Sequence, residues 1–74
     1  ISNVANGAIN VSSKDAVNGS QLYGAQNNIA NIIGGDTKID PNTGNITTSN
    51  LGGTTANNVN DAIQQVNNTA NAGW

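Results

Sequence analysis

Asp15-Ala16-Val17-Asn18-Gly19-Ser20-Gln21-Leu22 is the stretch on which the fold turns, because an Asn/Val/Gly-rich extended segment gives way there to helical spacing. Immediately before it, Ser12-Ser13-Lys14-Asp15 places a Ser three residues ahead of an acid. That is a capping-box pattern, in which the Ser12 hydroxyl accepts from the N–H of position 15 and the Asp15 carboxylate reaches back. The pattern predicts a helix from Ser13, with the Asp15 charge in its first turn, where the macrodipole favours it. Gly19 then falls inside the helix at a cost of about 1 kcal/mol relative to Ala. A Gly kept at that cost implies that another backbone approaches closely there.

Downstream, Leu22, Ala25, Ile29 and Ile32 form one narrow apolar seam with Ile33 beside it, as a coiled coil requires and a globular helix seldom shows. Gly34-Gly35 stops the helix. Thr37-Lys38-Ile39 and Asn45-Ile46-Thr47-Thr48 are short β-prone runs around Asp40-Pro41-Asn42-Thr43-Gly44, where Pro41 presets a turn and Gly44 supplies positive φ. This predicts a hairpin, closed by Leu51-Gly52-Gly53 with a second tight crossing at the two Gly. From Asn58 helical spacing returns, with Asn58 and Asp61 as cap and acid. Val59, Ile63, Val66 and Ala70 make a second narrow seam. Gln26, Asn27, Gln64 and Asn67 are expected to face water.

Upstream, residues 1–11 carry Ile1, Val4, Ile9 and Val11 among Asn and Gly, too irregularly spaced for a clean strand. Short extended pieces with a turn at Asn6-Gly7 are expected. Exposing those four side chains would forfeit roughly 6–8 kcal/mol of burial. Residues 1–12 are therefore expected to cross to neighbouring chains near Val17 and Leu22, with the Asn3 and Asn18 amides meeting orphaned backbone groups. The alternative is a frayed N-terminus whose Asn residues are merely solvated.

Composition bounds the fold class. The large aliphatics number eight Ile, five Val and two Leu among 74 residues, a share at which lone folding is doubtful. There is no Cys or His to build a disulfide or a Cys/His metal site. The chain is then either disordered or folded by oligomerising, and a charged fraction of 8% is low for disorder. Lys14 and Lys38 are the sole basic residues, which argues against a grip on nucleic acid or an acidic membrane. Apolar runs are too short for a transmembrane segment. Sixteen Asn suit either solvated loops or an extended fibre with much surface.

No nucleophile–base pair can be assembled, so an enzyme is not expected, nor any cofactor or metal. Asp15 and Asp61 read as capping acids and Asp40 as a turn residue, while Asp36 is uncommitted. The 40–44 loop lacks the further carboxylates of an EF-hand. Sequons at Asn10, Asn18, Asn45 and Asn67 are expected by chance in so Asn/Thr-rich a chain.

Ile1-Ser2-Asn3-Val4-Ala5-Asn6-Gly7 followed by Ser13-Lys14-Asp15-Ala16-Val17-Asn18-Gly19-Ser20-Gln21-Leu22-Tyr23 closely resembles the neck module of trimeric autotransporter adhesins of Gram-negative bacteria. Residues 24–74 resemble a stalk β-insert and the coiled coil beyond it, on Gly53-Thr54-Thr55-Ala56-Asn57-Asn58-Val59-Asn60-Asp61-Ala62-Ile63. The departure is Ile33, Ile63 and Val66, where the family often has Phe before the Gly pair and Leu later. Ala72-Gly73-Trp74 resembles the lead-in to a tryptophan-bearing head or connector.

The resemblance implies a mixed α/β fibrous fold: a parallel homotrimeric coiled coil with intertwined chains, an N-terminal neck and a small β insert. Its parts would be the neck (1–23, notably Ile1, Val4, Asn18 and Gly19), a coiled-coil helix (24–34), a β insert turning at Pro41 and Gly44 (35–57), and a second helix with a truncated connector (58–74). The trimer core would hold Val17, Leu22, Ile29, Ile32, Val59, Ile63 and Val66. A structural connector in a cell-surface fibre is implied, anchored in the outer membrane by a distant C-terminal barrel, with host matrix or host cells as partners of the whole fibre. Two other readings use the same residues: a ligand-binding insert at 36–53 presenting Thr/Asn loops, and a phage-type tail-fibre segment. Scarce aromatics weigh against the first and the neck octet against the second.

Overall fold

The computed structural model describes residues 1–72; the expected connector start at Gly73-Trp74 lies outside the described residues. An extended segment leads into helix α1 (Gly19–Ile33). Strands β1 (Lys38–Ile39) and β2 (Ile46–Thr47) follow, then a 3-10 turn (Leu51–Gly53) and helix α2 (Val59–Ala70).

Helix α1 begins six residues later than the Ser12/Asp15 pattern predicts. Its N-cap is Asn18, in extended backbone, whose side chain accepts from the Gln21 N–H while the Gln21 side chain accepts from the Asn18 N–H. The upstream groups have other partners. Asn10 Oδ1 takes the N–H and hydroxyl of Ser12 in a local turn. Asp15 reaches back to the Ala8 N–H at 2.9 Å. A capping box needs its acid free, and here the acid is spent on the extended segment. Gly19 is consequently the first helical residue, not an interior one, and a Cβ there would meet open space within the chain. The glycine pressed by backbone is Gly7, where a Cβ would run into the Ala16 carbonyl oxygen.

The other boundaries follow local chemistry. Gly34, at φ 78°, ends α1 with its N–H on the Ala30 carbonyl. β1 and β2 pair antiparallel, Lys38 opposite Thr47 and Ile39 opposite Ile46. In the turn between them Asp40 Oδ1 accepts from the N–H groups of Asn42 and Thr43, and Gly44 sits at φ 74°. Gly52 and Gly53 are also left-handed, at φ 62° and 83°, with open space around both. Backbone conformation, not a tight crossing within the chain, is what requires them. Asn58 caps α2 by accepting from the Asp61 N–H, and its amide donates to the Asp61 carboxylate.

The apolar core is small. Only Ala30, Leu51 and Ala56 are buried among the described residues. Ala30 lies on the face of α1 that meets the hairpin, and Leu51 is tied to Ala56 by a backbone bond of 3.1 Å. The shape is elongated, 61 × 29 × 14 Å.

Candidate assembly surface

Each helix uses one face on its own chain and leaves another open. On α1 the inward face is polar at its centre. Gln26, expected to face water, is half-buried and donates to the Gly44 carbonyl at 2.6 Å. That bond fastens the hairpin turn to the helix. On α2, Gln65 performs the same service for the loop before the helix, accepting from the Thr55 N–H and donating to its hydroxyl.

The open faces carry the predicted seams. Leu22, Ile29 and Ile32 on α1, and Val59, Ile63 and Val66 on α2, are all between 46% and 85% exposed. Val17, just before the α1 cap, is exposed as well. Water-facing aliphatics in helical register on both helices leave the apolar term unrealised within one chain. Val59, Ile63 and Val66 also border one concavity with Ile33 and Leu51, so the 3-10 turn sits under the start of α2. Leu22 borders a groove between α1 and the hairpin, with Tyr23, Ile39 and Pro41 on its walls.

The neck is a polar clamp. Gln21 grips the Gly7 peptide on both sides, accepting from its N–H at 2.8 Å and donating to its carbonyl at 2.7 Å. The Asn18 amide donates to the Val4 carbonyl at 2.9 Å and to Asn6 Oδ1 at 2.6 Å. Residues 4–8 are thereby fastened to their own helix start, where passage to a neighbouring chain was expected. Asn18 meets an orphaned carbonyl as expected; Asn3 instead takes a left-handed backbone, φ 60°. The apolar side chains gain little from this docking, since Ile1, Ile9 and Val11 are open to solvent and Val4 is half-exposed.

Pro41 and Gly44 occupy the hairpin turn as predicted. The structural roles of Ala30, Ala56 and the Gln21 side chain were not read from the sequence, and Leu51 was read only as closing the β portion. A buried Ala has no hydropathy signal, but Asn18 and Gln21 do form an N-x-x-Q capping pattern as good as the Ser12/Asp15 one. Among the described residues there is no group of three or more His, Cys, Asp or Glu that could hold a metal ion. No helix among them is long and apolar enough to cross a membrane.

Comparison with known proteins agrees with this geometry. Residues 1–73 match the family described as the coiled stalk of trimeric autotransporter adhesin. The chain is 53% identical over 70 residues to trimeric autotransporter adhesin AtaA of Acinetobacter sp. strain Tol 5, covering 95% of this chain and 2% of that protein. It is 44% identical over 72 residues to autotransporter adhesin EhaG of Escherichia coli O157:H7, covering 95% of this chain and 4% of that one. The solved C-terminal stalk of AtaA, fused to GCN4 adaptors, superposes with a TM-score of 0.77 at 37% identity, over 97% of this chain and 21% of that one. The chain thus spans a few per cent of the length of these curated relatives. It belongs to the coiled-stalk family of trimeric autotransporter adhesins.

Proposed function

We propose that the chain is a connector in a parallel homotrimeric adhesin fibre on the outer bacterial surface. It receives a wider domain at its neck and hands one coiled coil to the next through the β insert. The observation that carries this reading is the imbalance of burial. Among the described residues three, Ala30, Leu51 and Ala56, are buried, while six seam aliphatics on two helices are open. Two further copies around one axis would cover both seams with the same narrow contact. The relatives' names make them adhesins, and for this segment they support a share in adhesion as the spacer that carries a binding end outward. The side chains fit structural rather than catalytic duty. Asp40 is committed to the turn and Asp61 to the α2 cap, while Asp15 holds the neck.

The test is interchain distance. The chain would be fused, in register with α2, to a trimeric coiled-coil adaptor at its C-terminus and spin-labelled at Ile29, Ile63 or Asn27. Labels at Ile29 and Ile63 should report short, equal interchain separations, and Asn27 longer ones. A folded monomer of the adaptor-free chain at micromolar concentration, or equal separations at all three positions, would overturn the reading.

A further inference from the structure

Asn6-Gly7 and Asn18-Gly19 are the two Asn-Gly pairs in the chain. Asn followed by Gly is the dipeptide most open to imide formation, because no Cβ hinders the next backbone nitrogen. The fold brings both pairs into one cluster, with Asn18 Nδ2 donating to Asn6 Oδ1. We propose that Asn18 is a spontaneous deamidation site, held latent while the neck is docked and released when the neck opens.

The protection is visible atom by atom. An Asn amide offers two donors and two acceptor positions, and all four are occupied at Asn18. Nδ2 donates to the Val4 carbonyl and to Asn6 Oδ1. Oδ1 accepts from the Gln21 N–H at 3.1 Å and from the Ser20 hydroxyl at 2.6 Å. For reaction the side chain must swing so that the Gly19 nitrogen bonds to Asn18 Cγ, giving up these partners. The Cγ–Nδ2 bond then breaks, and ammonia leaves with the proton from Gly19. Water opens the five-membered imide to Asp or isoaspartate. Undocking residues 4–8 removes the two Nδ2 partners and lowers that barrier.

The product cannot restore the clamp. In isoaspartate the main chain runs through the former side chain, so cap and clamp are both lost. In the Asp product the carboxylate still accepts from the Gln21 N–H, so the helix cap survives. It presents only oxygen to the Val4 carbonyl and Asn6 Oδ1, where the amide had donated. Asn6 differs, because its role toward Asn18 is that of an acceptor, which Asp retains. Deamidation at 18 therefore records neck opening irreversibly, and deamidation at 6 does not. These contacts lie within one chain.

The experiment holds the intact stalk in mildly alkaline buffer and follows Asn18 by peptide mass mapping and isoaspartate detection. Denatured stalk and a Gln21→Ala stalk, which frees Gly7, run beside it. Conversion at Asn18 should be at least about tenfold slower in the docked protein than in the denatured chain, with Gln21→Ala moving it toward the denatured rate. Equal rates in docked and denatured protein overturn the proposal, as does an Asn18 that stays intact when denatured. For the consequence, Asn18→Asp should speed amide exchange at Gly7 and Ala8 while helical circular dichroism is kept, and Asn6→Asp should leave exchange slow. Exchange in Asn18→Asp as slow as in the parent overturns the irreversibility.

Discussion

The neck and the β insert are both short extended stretches docked on a helix, yet they are held by opposite means. Residues 4–8 are fastened by side-chain amides and a carboxylate from Asn18, Gln21 and Asp15, while most of their aliphatic side chains face water. The insert is held by fewer amides, Gln26 of α1 and Gln65 of α2, and contains Leu51 and Ala56, two of the three buried apolar residues among the described ones, the third being Ala30 on α1. Hydrogen bonds exchanged against water contribute only about 1 kcal/mol each, so the neck fixes direction more than it adds stability. Apolar burial does the reverse. The insert carries most of the buried apolar residues, and the neck leaves its apolar groups for something else to cover.

The largest expected effect tests what lies outside both regions. Ile29→Asp or Ile63→Asp puts like charges in one layer of the proposed trimer and should abolish assembly, read by light scattering, whereas Asn27→Asp should be tolerated. Equal behaviour of the three would erase the distinction between seam and surface. Leu51→Ala should cost about 2–3 kcal/mol in thermal or denaturant unfolding, because Leu51 is the largest buried side chain of the insert. Gln21→Ala removes both grips on Gly7 and should cost about 1–2 kcal/mol, seen as faster exchange of the Gly7 N–H with little change at β1 and β2. If exchange quickens equally in the hairpin, the two regions are one cooperative unit. Gly44→Ala forces a Cβ into a left-handed turn and should cost about 1 kcal/mol, confined to the hairpin. Asn58→Ala is the smallest, about 0.5–1 kcal/mol through the lost α2 cap.

What could be read from the residues divides along the same line. The hairpin turn, the Gly34 stop and the Asn58 cap were legible because each is decided within five residues by φ preference or a side chain's own reach. The seams were legible as spacing. The start of α1 was misplaced because two capping patterns, Ser12/Asp15 and Asn18/Gln21, compete over ten residues. The winner is set by which side chains the extended segment occupies. That segment folds back over a separation of fourteen residues, from Gly7 to Gln21. Within the chain the close approach falls at Gly7 and not at Gly19 for the same reason: the pressing carbonyl belongs to Ala16, which nothing in the local pattern brings near. Gln26 and Ala30 likewise took their face from the hairpin that settled on them.

The amide clamps carry one more consequence, for the medium in which such a fibre stands. Asn18, Gln21, Gln26 and Gln65 are neutral, and the chain has six charged side chains among 74 residues. Ionic strength acts by screening charge over a Debye length, and here it finds little to screen. The melting temperature should therefore shift little between dilute buffer and concentrated sodium chloride. The hydrogen bonds of the neck and of the insert should accordingly persist from dilute buffer to concentrated salt.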